Sequence, residues 1–195
     1  RERAMKLLGS GGETDIEDHA ATLLTHARAL VDQGQPDEAL RHLEQAKKLL
    51  PPGREQAVMT GDIARIRADK GEVDAALQLH QERLAVYEAL GDKRERAVTL
   101  GDIARLRADK GEVDAALQLH QEKLAIVEAL EDISEKAQTL WSIAQIEVQQ
   151  QKWQEAFDHL SESYAINLKL GRLDGICFVG LDLGQLLCMA GQREE

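Results

Sequence analysis

A tandem duplication constrains the fold of this chain more than any other feature of its sequence. Residues 61–100 and 101–140 are identical at 31 of 40 positions, and within the first 22 only Ile66 and Leu106 differ. Residues 141–180 follow the same register more weakly, residues 181–195 begin another copy, and residues 23–50 match with a shift of 37. Such a period is typical of arrays in which one supersecondary unit is stacked repeatedly, rather than of a single closed core.

Small residues recur at fixed places within each copy. An alanine is followed seven residues later by a glycine, or by Gln151 in the last full copy, and twelve residues later by a second alanine: Ala27, Gly34 and Ala39; Ala64, Gly71 and Ala76; Ala104, Gly111 and Ala116; Ala144 and Ala156. The glycine is typical of a left-handed helix end, and the alanines mark a close helix crossing. Each unit is therefore predicted to be a helix, a tight turn and an antiparallel helix.

Helical periodicity predicts nine helices along the chain. A Thr14–Glu17 capping box is expected to open the first, after a flexible join at residues 9–12. The predicted helices lie at about 15–33, 36–49, 54–69, 73–90, 95–109, 113–130, 135–150, 153–170 and 174–190.

These residues resemble the tetratricopeptide repeat, over about residues 15–195. The 40-residue length is similar to that of kinesin light chains and of sensor regions in bacterial signalling ATPases. The resemblance implies an all-α fold, a right-handed superhelical solenoid of antiparallel helix pairs spanning 14–195. Its units are expected at about 20–56, 57–96, 97–136 and 137–176, with a truncated unit at 177–195. Residues 1–13 are expected to be a linker or the remnant of a preceding helix.

The sequence departs from the family at one packing position. Arg83 and Lys123 stand where the family has a small residue. We expect these long side chains to point outward into solvent.

The charge balance restricts the class of partner. There are 24 basic and 35 acidic residues, for a net charge of −11, so neither nucleic acid nor an anionic membrane surface is an expected partner. Cys177 and Cys188 are expected to be buried thiols of a reducing compartment, which favours a cytoplasmic location. The first residue is arginine, so we expect a fragment of a longer protein.

No catalytic, metal-binding or cofactor-binding motif is present, so we expect no enzyme, no metal and no cofactor. His80 and His120 occupy equivalent positions in neighbouring units, too far apart to share a metal ion. Ser161 and Ser163 lie near His159 in a helical pattern, but the sequence shows no acid to orient the histidine.

The resemblance implies that the first helix of each unit lines a concave groove. The groove candidates are Arg28, Asp62, Arg65, Asp69, Asp102, Arg105, Asp109, Trp141 and Gln145. Asp and Arg residues fall on one helical stripe, and two interpretations stay open: solvated i,i+4 ion pairs, or an acidic groove for a basic or amphipathic segment. Trp141 replaces Gly61 and Gly101, and is either a groove filler or a binding anchor.

The last helix is nearly all apolar over residues 176–189 and is in the register of a first helix. We therefore expect its edge, at Phe178, Leu183 and Leu187, to be covered by self-association or by sequence outside this chain. Together these features predict a non-catalytic protein–protein interaction scaffold that binds a partner segment in its groove. The alternative is a sensor or regulatory array of a larger multidomain signalling ATPase or protease, which works through packing between repeats or chains.

Overall fold

The computed structural model describes residues 10–191, and within them it contains nine α-helices and no strand. The all-α prediction is confirmed, and the helix bounds agree with the predicted ones to within two residues except at the start of the first helix. The helices are α1 Ser10–Asp32, α2 Pro36–Leu49, α3 Arg54–Asp69, α4 Val73–Leu90, α5 Lys93–Asp109, α6 Val113–Ala129, α7 Ile133–Gln149, α8 Trp153–Leu170 and α9 Leu173–Gly191.

Helix α1 begins earlier than its sequence predicts. Ser10, Gly11 and Gly12 are helical, so the predicted flexible join is wrong for these residues, and residues 1–9 lie outside the described part of the chain. Thr14 lies inside the helix, so the helix does not begin at the predicted capping box. Extending an existing helix by one residue is much easier than nucleating one, which lets α1 continue through weak helix formers.

The predicted left-handed helix ends are present. Gly34, Gly71 and Gly111 have φ values of 74°, 82° and 81°, and each separates the two helices of one repeat. Gln151 takes the same role in the last full repeat with φ 60°, although it carries a side chain. A second set of left-handed residues separates successive repeats, with Gly91, Glu131 and Gly171 at φ values of 66°, 55° and 65°.

The chain forms two compact units, which meet in sequence between Asp92 and Lys93. In the first unit α1 packs on α2, α2 on α3 and α3 on α4. The predicted crossing alanines Ala27 and Ala39 are fully buried there. The surrounding cluster is built from aliphatic residues of three helices: Leu30, Leu40, Leu43, Ile63 and Ile66.

In the second unit each helix from α5 to α9 packs on the next one in sequence. The crossing alanines Ala104 and Ala116, like Ala144 and Ala156, are fully buried. The last cluster also contains Leu160, Val179 and Leu186, with aromatic side chains packed around it: Trp141, Trp153, Phe157 and Tyr164.

Arg83 and Lys123 are buried, with relative exposures of 6% and 7%, so the expectation that they point outward is wrong. Each lies over a glycine of the facing first helix. A Cβ on Gly61 would lie 3.0 Å from Nη1 of Arg83, and a Cβ on Gly101 would lie 3.2 Å from Nζ of Lys123. The missing glycine side chain leaves the space that the long cation occupies.

The two cysteines also differ from expectation. Cys177 and Cys188 are free thiols, and both are exposed on α9. Among the described residues, no helix combines the length and the apolar character needed to cross a membrane.

Candidate functional site

An open cleft of about 330 Å³ lies among α5, α6 and α7, and we call it the charged cleft. Five of the nine predicted groove residues line it: Asp102, Arg105, Asp109, Trp141 and Gln145. Side chains that the sequence did not single out as groove residues complete the lining, among them His120, Lys123, Glu135 and Gln138. The structure therefore brings five of the predicted residues into one lining, together with residues that were not predicted.

The floor of the charged cleft holds a largely buried ion pair. Nζ of Lys123 lies 2.9 Å from Oε2 of Glu135, with 9% and 32% of the two side chains exposed. Beside it, burial and then the charge of Lys123 lower the pKa of His120 to about 4, so this histidine is neutral at pH 7. At that pH the lining holds three carboxylates, of Asp102, Asp109 and Glu135, against the two cations Arg105 and Lys123.

In the first unit, the predicted groove residues form an ion cluster centred on Asp62. Arg28 of α1 donates from Nε to Oδ2 of Asp62 at 2.9 Å, and Arg65 pairs with Oδ1 at 3.1 Å. Only 10% of the Asp62 side chain is exposed, whereas Asp69 is exposed and lies outside this cluster. Arg28 reaches Asp62 from a neighbouring helix, and Arg65 pairs with it at the i,i+3 spacing that the sequence places on one helical stripe.

A second cleft, of about 160 Å³, lies among α7, α8 and α9, and we call it the aromatic cleft. Its apolar lining comes from Ala137, Trp141, Phe178 and Val179. Trp141 and Gln138 line both clefts, so they form a wall shared by the two. A further cleft, of about 300 Å³, lies in the first unit with Leu24 and Val58 in its lining.

The indole of Trp141 is held in place by an aspartate on α9. Nε1 of Trp141 donates to Oδ2 of Asp182 at 2.6 Å, and Nε2 of Gln145 donates to the same oxygen at 2.5 Å. Asp182 was missed by sequence reasoning, although it stands in the register of Asp62 and Asp102 and could have been found from it.

The two clefts are built on equivalent positions one repeat apart. Gly101, Lys123 and Glu135 of the charged cleft correspond to Trp141, Ser163 and Gly175 of the aromatic cleft. Ser163 is fully buried and donates to the carbonyl oxygen of Ala137 at 2.7 Å. Gly175 lies so close to Asn167 that an added Cβ would be 2.0 Å from its Oδ1. The aromatic cleft is thus a place where the lysine–glutamate pair of the preceding repeat is absent.

The three predicted edge residues of α9 lie in different surroundings. Phe178 is 62% exposed and lines the aromatic cleft, and Leu187 is 53% exposed. Leu183 is half-buried against the cluster that contains Leu160 and Val179. Leu181, which sequence reasoning did not select, is 61% exposed.

His159 has an acidic partner after all. Its Nδ1 lies 2.7 Å from Oε2 of Glu147, whose side chain is 7% exposed, so the expectation that no acid orients it is wrong. The hydroxyl of Ser163 is occupied by the carbonyl oxygen of Ala137 and does not face solvent. In the part of the chain that the structure describes, no group of three or more His, Cys, Asp or Glu side chains could hold a metal ion.

Family models described as "Tetratricopeptide repeat" match residues 19–49, 61–94 and 99–134. The chain belongs to the tetratricopeptide-repeat family. Tetratricopeptide repeats generally mediate protein–protein interaction. No curated protein matches the sequence.

Solved structures share the tetratricopeptide-repeat fold at low identity. A putative kinesin light chain from Podosopora anserina with nearly identical repeats has a TM-score of 0.72 at 20% identity, over 89% of this chain and 88% of that one. Aspartyl phosphate phosphatase F from Bacillus subtilis has a TM-score of 0.78 at 16% identity, over 85% of this chain and 44% of that one.

A signal transduction ATPase with numerous domains and a tetratricopeptide repeat sensor, from Pyrococcus horikoshii, has a TM-score of 0.80 at 13% identity. The match covers 93% of this chain and 28% of the ATPase. The chain therefore spans less than half the length of the phosphatase and of the ATPase, and likeness at these identities shows the fold alone.

Proposed function

We propose that the chain is a non-catalytic protein-interaction scaffold that binds a segment of a partner protein in the charged cleft. One observation carries the proposal: five residues chosen from sequence as groove residues line a single open cleft. The partner segment is basic or amphipathic, because carboxylates outnumber cations in this lining and the whole chain has a net charge of −11. Neither nucleic acid nor a membrane surface is a partner, and the site of action is cytoplasmic.

The duplication supplies a matched pair of variants for testing this proposal. Asp69 and Asp109 are equivalent exposed residues with nearly identical neighbours, and only Asp109 lines the charged cleft. Asp69→Asn and Asp109→Asn therefore change the net charge equally. We expect a fluorescent peptide of alternating lysine and serine to bind the wild type more tightly than its glutamate–serine counterpart, with the difference lost in about 1 M salt.

Asp109→Asn is expected to weaken binding of the lysine peptide about three-fold, the size of an exposed ion pair, and Asp69→Asn to leave it unchanged. Fluorescence anisotropy measures both dissociation constants. Equal weakening by the two variants would mean that the net charge, and not the charged cleft, attracts the peptide.

A second candidate function is a sensor or regulatory array within a larger signalling ATPase or protease. It is supported by the match of 93% of this chain to an ATPase that carries a tetratricopeptide repeat sensor. If the parent protein has such a catalytic domain, deletion of residues 14–195 is expected to raise its basal activity. Unchanged basal activity in that deletion variant would contradict a regulatory role.

Self-association through α9 stays a prediction, supported by the exposure of Phe178, Leu181 and Leu187. Light scattering over a concentration series should detect a dimer that Leu187→Lys dissolves. A dimer that persists in this variant would place the contact elsewhere.

A further inference from the structure

The aromatic cleft is more apolar than the charged cleft because two charged side chains of the preceding repeat, Lys123 and Glu135, have small counterparts here. In the charged cleft, Lys123 and Glu135 occupy the space between the second helix of one repeat and the first helix of the next. At the equivalent positions Ser163 and Gly175 carry no long charged side chain, and Asn167 packs so closely against Gly175 that an added Cβ would lie 2.0 Å from its Oδ1. Trp141 takes the place of Gly101 beside them, and a cleft of about 160 Å³ remains.

The polar groups around the aromatic cleft are largely satisfied within the protein. Ser163 donates to the carbonyl oxygen of Ala137, and Nδ2 of Asn167 donates to the carbonyl oxygen of Ser163 at 2.9 Å. Arg172 donates to Ser134 at 2.7 Å and pairs with Asp174 at 3.2 Å. A ligand therefore meets apolar surface and neutralised charge rather than an unmatched ion.

The size of the aromatic cleft suits one large apolar side chain. A dry apolar cavity of about 150 Å³ accepts a benzene ring, and the aromatic cleft has about 160 Å³. Phe178 is 62% exposed, so covering it would remove a substantial apolar area from water.

The wall between the two clefts is fixed before any partner arrives. The hydrogen bond from Nε1 of Trp141 to Asp182 at 2.6 Å holds the indole in one orientation. Trp141 and Gln138 belong to the linings of both clefts, so one short segment can reach both. Because the Trp141 side chain is already held in place, binding a partner against it costs little side-chain conformational entropy. Tryptophan is also enriched among the residues that contribute most to binding energy at interfaces.

We infer that the aromatic cleft binds a leucine or phenylalanine side chain of the same partner segment whose basic residue enters the charged cleft. The inference rests on the proposed function, which it deepens by specifying a two-part motif, one cation and one large apolar residue on either side of Trp141.

The test compares peptides that carry both, one or neither of these features. The probes are fluorescent serine-rich peptides with one lysine and one phenylalanine, separated by one, two or three serines, and versions with lysine alone or phenylalanine alone. Phe178→Ala removes the exposed wall of the aromatic cleft. Leu181→Ala is the matched control, because Leu181 is equally exposed on the same helix and lines neither cleft.

The lysine–phenylalanine peptide of the best spacing should bind about ten-fold more tightly than the lysine peptide, and Phe178→Ala should abolish that gain. Leu181→Ala should leave it intact. No gain from phenylalanine, or equal losses in the two variants, overturns the inference.

The outcomes for the two proposals remain distinguishable. If Asp109→Asn weakens the lysine peptide while phenylalanine adds nothing, the proposed function stands and the inference fails. If phenylalanine peptides bind in a Phe178-dependent manner and lysine has no effect, the aromatic cleft binds an apolar side chain. The proposal of a basic partner is then wrong, and so is the two-part motif.

Discussion

The residues around Lys123 and those around Trp141 stand at equivalent positions one repeat apart. The two sets fill a similar volume, but the first is charged and the second is mainly apolar. The first combines a glycine with a buried lysine that pairs with a half-buried glutamate at 2.9 Å. The second combines a tryptophan with a buried serine and a glycine. In both, the alanines at the helix crossing, Ala104 and Ala144, are fully buried.

This difference shows which positions fix the fold and which are free to change the surface. The crossing alanines hold the helix pairs at close range, so the backbone does not depend on the chemistry beside them. The residues at positions 101, 123 and 135 can then be substituted together, provided that the total volume of their side chains stays roughly constant. A charged recess thereby becomes an apolar one, 40 residues along the sequence, without a change of architecture.

The largest effect is expected for Gly101→Trp, which introduces the tryptophan of the later repeat without the small residues that accompany it there, Ser163 and Gly175. A Cβ added at Gly101 would lie only 3.2 Å from Nζ of Lys123, so an indole must displace this cation from Glu135. We expect a loss of about 3 kcal/mol in the free energy of unfolding, measured by urea denaturation.

The matched control for that variant is the triple replacement Gly101→Trp, Lys123→Ser and Glu135→Gly. It should recover stability to within about 1 kcal/mol of wild type. The remaining deficit arises because Ser142 stands where Asp182 accepts the indole N–H in the later repeat. A triple variant as unstable as the single one would show that the three positions are not exchanged as a set.

His120→Leu gives the charged cleft the residue of the later repeat, Leu160, and should change the pH dependence of stability. Burial lowers the folded-state pKa of His120 to about 4 from 6.5, so the unfolded chain takes up the proton first. Stability contributed by the neutral histidine is therefore complete above pH 6.5 and is lost as the pH falls toward 4. At a pH of about 4.5 the loss should be about 2 kcal/mol.

Urea denaturation of the wild type and of His120→Leu at pH 7 and at about pH 4.5 isolates this contribution, because other titrating groups cancel in the difference. The variant should lose about 2 kcal/mol less than the wild type between the two pH values. The same loss in both proteins would mean that His120 does not titrate as its burial implies.

The smallest expected effect concerns the left-handed residue between repeats. Glu131 has φ 55°, whereas its counterpart Gly171 has φ 65° and no side chain. Glu131→Gly should raise the free energy of unfolding by about 0.5 kcal/mol, since relief of the left-handed strain exceeds the entropy gained by the unfolded chain. Gly171→Glu should lower it by a similar amount, and thermal unfolding of both measures the pair.

The fold could be predicted almost completely from the sequence, because the alanine–glycine–alanine spacing recurs in register and each position has one structural role. The exposed groove residues of the charged cleft, such as Arg105 and Asp109, followed from the same register. Burial of Lys123 did not, because it depends on the absence of a side chain at Gly101, on another helix. Sequence-based rules that consider each residue separately predict that a lysine such as Lys123 is exposed to solvent.

The aromatic cleft was missed for a related reason. Trp141 and Phe178 are 37 residues apart and were assigned to a groove and to an edge, while the structure places both in one lining. Their meeting depends on Gly175, which lets α9 approach Asn167. The start of α1 was missed because its first turn extends from a packed helix rather than from a local capping signal.

Both tryptophans of the sequence, Trp141 and Trp153, pack against the last hydrophobic cluster. Intrinsic tryptophan emission therefore reports on helices α7 to α9 alone, whereas far-ultraviolet circular dichroism reports on every helix. In a repeat protein one stretch of repeats can open before another, so the two signals need not share one denaturation midpoint. The native chain thus carries a spectroscopic reporter for local opening beside the aromatic cleft, without any added label.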